Sequence, residues 1–323
     1  MHFDKALKLI KQSKTIAVVG HVRPDGDTVG SALTLKMGFE AMGKAVDVFI
    51  DETDGEIPKY FSYISGFNAI NPKPAERYDL LIIIDSSDEK RIGKYTKLRD
   101  KTAAVLVIDH HLDNQVKADL AVINTDAASC GEILYDFFTE NNIEITKEIA
   151  TALFTSISSD TGCFLFPNTT AHTHFVASEL LKKDIDRETI LYYNFRVYDP
   201  KSINGLLRVL KEIKFVNGGR IAITYLDYRL VKKLNFDNDE RHKLQKYAID
   251  ANGVRASIFI TENEPGSFHI SLRSHGEVNV ANVAKIFGGG GHKNASGAII
   301  QGKYKEIIKN IISEVEKAIE GAE

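Results

Sequence analysis

Cysteine is scarce: the 323 residues hold two, Cys130 and Cys163, with no paired spacing. That excludes a disulfide scaffold and fits a reducing compartment. Charge of one sign is missing as well. With 41 basic against 44 acidic residues, the formal net charge is −3. Such a chain has no large sequence-independent grip on a long phosphate polymer, which leaves short anionic substrates held by a few local cations. Long apolar runs are absent too; the longest aliphatic stretch, Leu80–Ile84, is far short of a membrane span. The N-terminal MHFDKALKLIKQ carries Asp4 and helical spacing of Phe3, Leu7 and Ile10, so no signal peptide is expected and the cytoplasm is the expected location. No repeat or low-complexity tract interrupts the chain, whose length suffices for two domains.

What is there alternates. Apolar runs at Thr15–Val19, Ala45–Ile50, Leu80–Ile84, Ala104–Ile108 and Ala121–Ile123 predict strands, without the polar alternation of a half-exposed sheet. Between and after them, Asp27–Met42, Gly131–Asn141, Lys147–Ser158 and Thr169–Lys183 have helical spacing. Strands buried on both faces imply an α/β fold with a doubly wound, mostly parallel sheet. The stretch 188–210 reads as a helical linker with a joint at Asp199-Pro200. From residue 211 the character changes to a smaller mixed α+β domain. It holds a Gly-Gly hairpin over Phe215–Tyr225, a strand pair around Pro265-Gly266, a helix Val280–Phe287 and an amphipathic helix Tyr304–Ile319.

Acidic residues and histidines collect at the ends of the first-half elements. After the first strand come His21, Asp25 and Asp27; the third ends in Asp85, the fourth in Asp109-His110-His111, and a helix in Asp160. One strand-end aspartate is commonly a cap or turn residue. Four such ends, where a doubly wound sheet gathers its ligands, point instead to a site. His21, Asp25, Asp27, Asp85, His110 and Asp160 suit two divalent cations sharing a carboxylate. Such a pair, about 3.5–4 Å apart, activates water near neutral pH and steadies the attacking and leaving oxygens of a phosphoryl displacement. Oxygen-rich ligation with two imidazoles favours Mn²⁺, with Mg²⁺ or Co²⁺ as alternatives, over a structural zinc bound by thiolates.

In order and spacing, HVRPDGD, IIIDSSD, IDHH and SSDTG resemble the motifs of the DHH phosphoesterase superfamily. It includes RecJ-type exonucleases, family II pyrophosphatases, cyclic-dinucleotide phosphodiesterases and nano-RNases. SLRSHGEVNVANVAKIFGGGGHKNASGA resembles the DHHA1 domain that follows in the nucleotide-acting branches. The two-domain layout is most similar to the nano-RNase and pAp-phosphatase (bifunctional oligoribonuclease) group. That resemblance implies a DHH catalytic domain over 1–187 and a DHHA1-like substrate domain over 211–323. It also implies a first metal on His21, Asp25 and Asp85, and a second on Asp27, Asp85, His110 and Asp160. Asp109 would orient a neighbouring histidine, and His111 would meet the substrate phosphate and assist the leaving oxygen. Arg273, Gly288, Gly289, Gly290, Gly291 and His292 would grip the terminal phosphate and nucleotide across a cleft from the metals, restricting substrates to short ones.

Taken without the resemblance, the tetraglycine is either a flexible linker or a tight turn whose N–H groups form an anion nest. Ordered elements on both sides favour the turn. His172 and His174 sit two apart on a helix and cannot share a face as ligands. Tyr192, Tyr193 and Tyr198 are read as packing residues near the joint, with base stacking the alternative, and Cys163 as a small core residue. The expected activity is release of 5′-mononucleotides from short RNA, together with pAp hydrolysis to AMP. The alternative is a phosphodiesterase for linear or cyclic dinucleotides such as pApA or c-di-AMP; pyrophosphate hydrolysis and a non-catalytic nucleotide-binding regulator rank lower. Long duplexes and membranes are not expected partners, and a homodimer is left open.

Overall fold

A computed structural model describes residues 3–53, 55–195, 200–234 and 238–322. Tyr198 and Asp199, named above, lie outside the described residues. The chain forms two compact units, Met1–Val197 and Tyr198–Glu323.

In the first unit the order is α1 (Phe3–Gln12), β1 (Thr15–Val19), α2 (Gly26–Ala41), β2 (Ala45–Phe49), β3 (Tyr78–Ile84), β4 (Thr102–Asp109) and β5 (Leu120–Ile123), then α3 (Cys130–Glu140), α4 (Lys147–Asp160), α5 (Ala171–Leu181) and α6 (Arg187–Phe195). The five strands are all parallel, in the spatial order β2-β1-β3-β4-β5. Both sheet faces are covered, which explains the unbroken apolar runs. Ile16, Val18, Leu80, Ile82 and Ile84 pack with the helices, whereas Ala17, Val19, Leu81 and Ile83 join a smaller core. That second face is sealed by Ile92 and Leu98 from a 3₁₀ segment, Glu89–Lys101, between β3 and β4. Its charged sequence, EKRIGKYTKLRDK, hides the element from any periodicity argument. The sheet order reverses between β1 and β3, the point where such folds bind ligands beyond the strand ends. No helix among the described residues is long and apolar enough to cross a membrane.

The second unit contains α7 (Pro200–Leu210), β6 (Lys214–Val216), β7 (Ile221–Leu226), α8 (Tyr228–Leu234), α9 (Asn238–Ile249), β8 (Ala256–Glu264), β9 (Ser267–Ser274), α10 (Val280–Ile286), β10 (Gly290–His292), β11 (Ala295–Gln301) and α11 (Tyr304–Glu320). Six strands run β10-β11-β9-β8-β7-β6, antiparallel except for β7 beside β8. One face packs on α10 and on Ile307, Ile311, Val315 and Ile319 of α11, a stripe four residues apart.

Candidate metal centre

The first ligands come from the β1–α2 turn. Asp25 is the N-cap of α2: its Oδ1 accepts from the N–H groups of Asp27 and Thr28, each at 3.0 Å. Its other oxygen lies 4.0 Å from His21 Nε2, so cap and site residue are one side chain. His21 is buried, and its Nδ1 is 2.8 Å from the Val22 carbonyl, which turns Nε2 inward. At the end of β3, Asp85 sits in the left-handed region at φ 56°. A non-glycine residue there costs on the order of 1 kcal/mol, and here the strain aims a buried carboxylate at the crevice.

Asp85 lies between two groups. Its Oδ2 accepts from Thr28 Oγ1 at 2.6 Å and is 3.5 Å from His21 Nε2. Its Oδ1 is 3.8 Å from both His110 Nε2 and His111 Nδ1. His110 Nε2 also lies 3.1 Å from Asp160 Oδ2 and 3.7 Å from Asp27 Oδ2, while its Nδ1 is 3.3 Å from the Ala127 carbonyl. Ligand atoms of His21, Asp25 and Asp85 fall within 4.8 Å of one another, as do those of Asp27, His110 and Asp160. All six candidate ligands therefore converge, with Asp85 facing both groups.

Electrostatics describes a place built for positive charge. Burial, then the charge of Asp85, raises the Asp27 carboxyl to about 6. Burial and the charge of Asp27 push Asp160 well up. Burial alone would lower both imidazoles, but Asp85 raises His21, and Asp160 with its acidic neighbours raises His110 to about 10. Burial would lift Asp85, yet its hydrogen bond with His21 brings it below the ordinary value. Excess buried carboxylate draws protons onto the imidazoles whose lone pairs would otherwise bind cations, and this donor set fits two hard divalent ions.

His111 and Asp109 form a separate arm. Asp109, fully buried, accepts from His111 Nδ1 at 2.7 Å, leaving Nε2 of that ring pointing away. Its other oxygen accepts from Asn114 Nδ2 at 2.6 Å. Asn114 escaped the sequence reading, as did Thr28 and Cys130. The Cys130 thiol is buried 3.9 Å from Asp85 Oδ1. Burial and the surrounding carboxylates raise it well above its usual value, and its sulfur lies within 4.8 Å of ligand atoms of Asp27 and Asp85.

Other expectations are adjusted. Cys163 is half-buried, not a core residue, because Gly162, Cys163 and Phe164 all turn left-handed, at φ 55°, 58° and 66°, and lift it off the core. His172 Nε2 pairs with Asp136 at 2.9 Å and the His174 ring stacks on Phe164, so neither joins a ligand group. Tyr193 stacks on Tyr63, with ring centroids 5.7 Å apart, and Tyr192 is half-exposed.

In the second unit the tetraglycine is ordered, and two of its four N–H groups are taken up by the chain itself. Gly288, at φ 74°, and Gly289 donate their N–H groups to the carbonyls of Lys285 and Ala284, closing α10 in a Schellman cap. Those donors are committed. Gly290 and Gly291 instead enter edge strand β10. A Cβ at Gly289 would meet the Gly297 carbonyl at 2.1 Å, so only glycine allows that approach. The ladder pairs His292 with Ala295 and Ala295 with Arg273, which sets Arg273 and His292 on one face, about 10 Å apart across two strand spacings.

Comparison with known proteins agrees with the motifs. Residues 15–157 match the DHH family, N-terminal domain, and residues 218–321 match the DHHA1 domain. A Streptococcus mutans protein named a probable bifunctional oligoribonuclease and PAP phosphatase is 30% identical over 298 residues, 92% of this chain and 93% of that protein. A bifunctional oligoribonuclease and PAP phosphatase of Thermus thermophilus is 29% identical, covering 94% of this chain and 91% of its own. Among solved structures, an exopolyphosphatase-related protein from Bacteroides fragilis superimposes with a TM-score of 0.87 at 25% identity, covering 98% of this chain and 96% of that one. With both domains matched in order and a relative similar along nearly its whole length, the chain belongs to the DHH–DHHA1 family of phosphoesterases.

Proposed function

We propose that the chain hydrolyses RNA fragments of a few residues to 5′-mononucleotides, and pAp to AMP. The observation that carries this reading is the convergence of His21, Asp25, Asp27, Asp85, His110 and Asp160 around one shared carboxylate. The likeness to two oligoribonuclease and PAP phosphatases supports the substrate class, because it extends over both units. A first divalent cation would be held by His21, Asp25 and Asp85, and a second by Asp27, Asp85, His110 and Asp160, with Mn²⁺ favoured by the donor set. When bound, such a pair activates water and offsets the negative charge gathering on the phosphate. Asp109 holds the His111 ring with Nε2 outward, as a proton donor for the leaving oxygen. In the second unit, Arg273 and His292, on one sheet face, would hold a substrate phosphate.

The test is a turnover assay with Mn²⁺ on a dinucleotide, a five-residue RNA, a long single strand, pAp, c-di-AMP and pyrophosphate, side by side. The short RNAs and pAp are expected to be turned over fastest. Preference for c-di-AMP, pyrophosphate or the long strand would overturn the substrate assignment.

A further inference from the structure

Asp27 is buried where three helices meet, and its two oxygens are treated unequally. Oδ1 accepts three hydrogen bonds: from Ser156 Oγ at 2.5 Å, Ser31 Oγ at 2.9 Å and the Gly131 N–H at 3.3 Å. Oδ2 accepts one, from the Cys130 N–H at 2.9 Å, and its remaining side looks toward His110 Nε2, 3.7 Å away. A carboxylate oxygen has about two lone-pair directions, and the close hydroxyls of Ser156 and Ser31 fill them, the Gly131 N–H being the long third contact. Cys130 and Gly131 open α3, where backbone N–H groups point outward without intrahelical partners.

The packing that allows this is tight. A Cβ at Gly131 would lie 2.0 Å from Ser156 Oγ, and one at Gly30 would lie 2.4 Å from the Ala152 carbonyl and 3.2 Å from Ser156 Cβ. Glycine in α2 and in α3 therefore brings both helices against α4 closely enough for Ser156 to reach Asp27. Ser158, also buried on α4, turns instead to the Thr155 carbonyl at 3.2 Å and takes no part.

We infer that Asp27 binds its cation through Oδ2 alone, and that Ser156 is the positioning residue that keeps Oδ1 out of the coordination sphere. The inference rests on the two-cation reading given above. It makes the second site, and not the first, sensitive to a hydroxyl that touches no substrate. Loss of such an outer partner lowers metal affinity by about 10- to 100-fold.

The experiment is a Mn²⁺ titration of the full chain, with free Mn²⁺ followed by electron paramagnetic resonance and folding checked by circular dichroism. Wild type should bind two ions. Ser156→Ala should weaken one of them by about 10- to 100-fold and leave the other within about twofold, whereas Ser158→Ala should leave both unchanged. Should Ser156→Ala not fold, Ser31→Ala removes a donor to the same oxygen and should weaken the same ion. A folded Ser156→Ala protein with two unaltered sites, or with both weakened equally, overturns the inference while the two-cation reading stands. Wild-type protein that binds fewer than two ions overturns that reading and the inference with it.

Discussion

Asp51 and Asp85 stand just beyond the carboxyl ends of β2 and β3, the two strands that flank β1. They are almost equally buried, at 1% and 2% exposure, yet they do different work. Asp51 is surrounded by donors that neutralise it: the Lys94 N–H at 2.7 Å, the Thr53 N–H at 3.0 Å and the Lys94 ammonium at 3.2 Å. Burial alone would raise its carboxyl, but these bonds, led by the Lys94 backbone, bring it down to about 2. Asp85 has one hydroxyl donor and faces three imidazoles, with Asp27 near enough for its charge to be felt. Position and burial do not separate a structural carboxylate from a candidate ligand. What separates them is whether the facing groups complete the charge or leave it for something else to complete.

The sharpest way to break the comparison is to neutralise each in turn. Asp85→Asn should lower Mn²⁺-dependent phosphoesterase turnover by roughly a thousandfold or more, several kcal/mol of transition-state stabilisation, while circular dichroism stays native. A comparable loss in Asp51→Asn would erase the distinction. For Asp51→Asn the expected effect is on stability, about 2 kcal/mol at pH 7 by denaturant unfolding, with Mn²⁺ stoichiometry unchanged. The sign follows from the depressed carboxyl. Its contribution is full above the unfolded value of about 3.9 and disappears as pH falls through about 2, so variant and wild type should converge in strong acid. The smallest effect is one of pH on metal loading. A cation needs the His110 lone pair, and that ring holds its proton up to about 10, so loading expels a proton. Apparent Mn²⁺ affinity should rise about tenfold per unit between pH 7 and 8, roughly 1.4 kcal/mol. A flat profile in calorimetric titrations would mean that His110 stays protonated and is no ligand.

The comparison also marks where sequence reading stops. The strands of the first unit, the helices carrying Asp27 and Asp160 and the clustering of the six acidic and histidine positions were legible, because unbroken apolar runs and strand-end polar residues leave a local trace. Asp51 went unnoticed, fittingly, since no histidine follows it. Asn114, which bonds Asp109 from the loop after β4, carries no motif. The 3₁₀ cover of the second face was hidden by its charges, and Gly290–His292, expected as part of a turn, proved to be an edge strand only through its pairing with β11.

By itself the sequence determined the candidate ligand types and their order along the chain, since both are matters of which side chain follows which strand. Whether a given carboxylate points at a neighbour's imidazole or at a backbone N–H depends on groups as many as 129 residues away. Ser156 reaching Asp27, and the α3 N-terminus supplying two more donors, are decided only when glycines let three helices close to contact distance. Hydrogen-bond and Coulomb energies depend on separation in space, and that separation was set by the packing of the helices against one another.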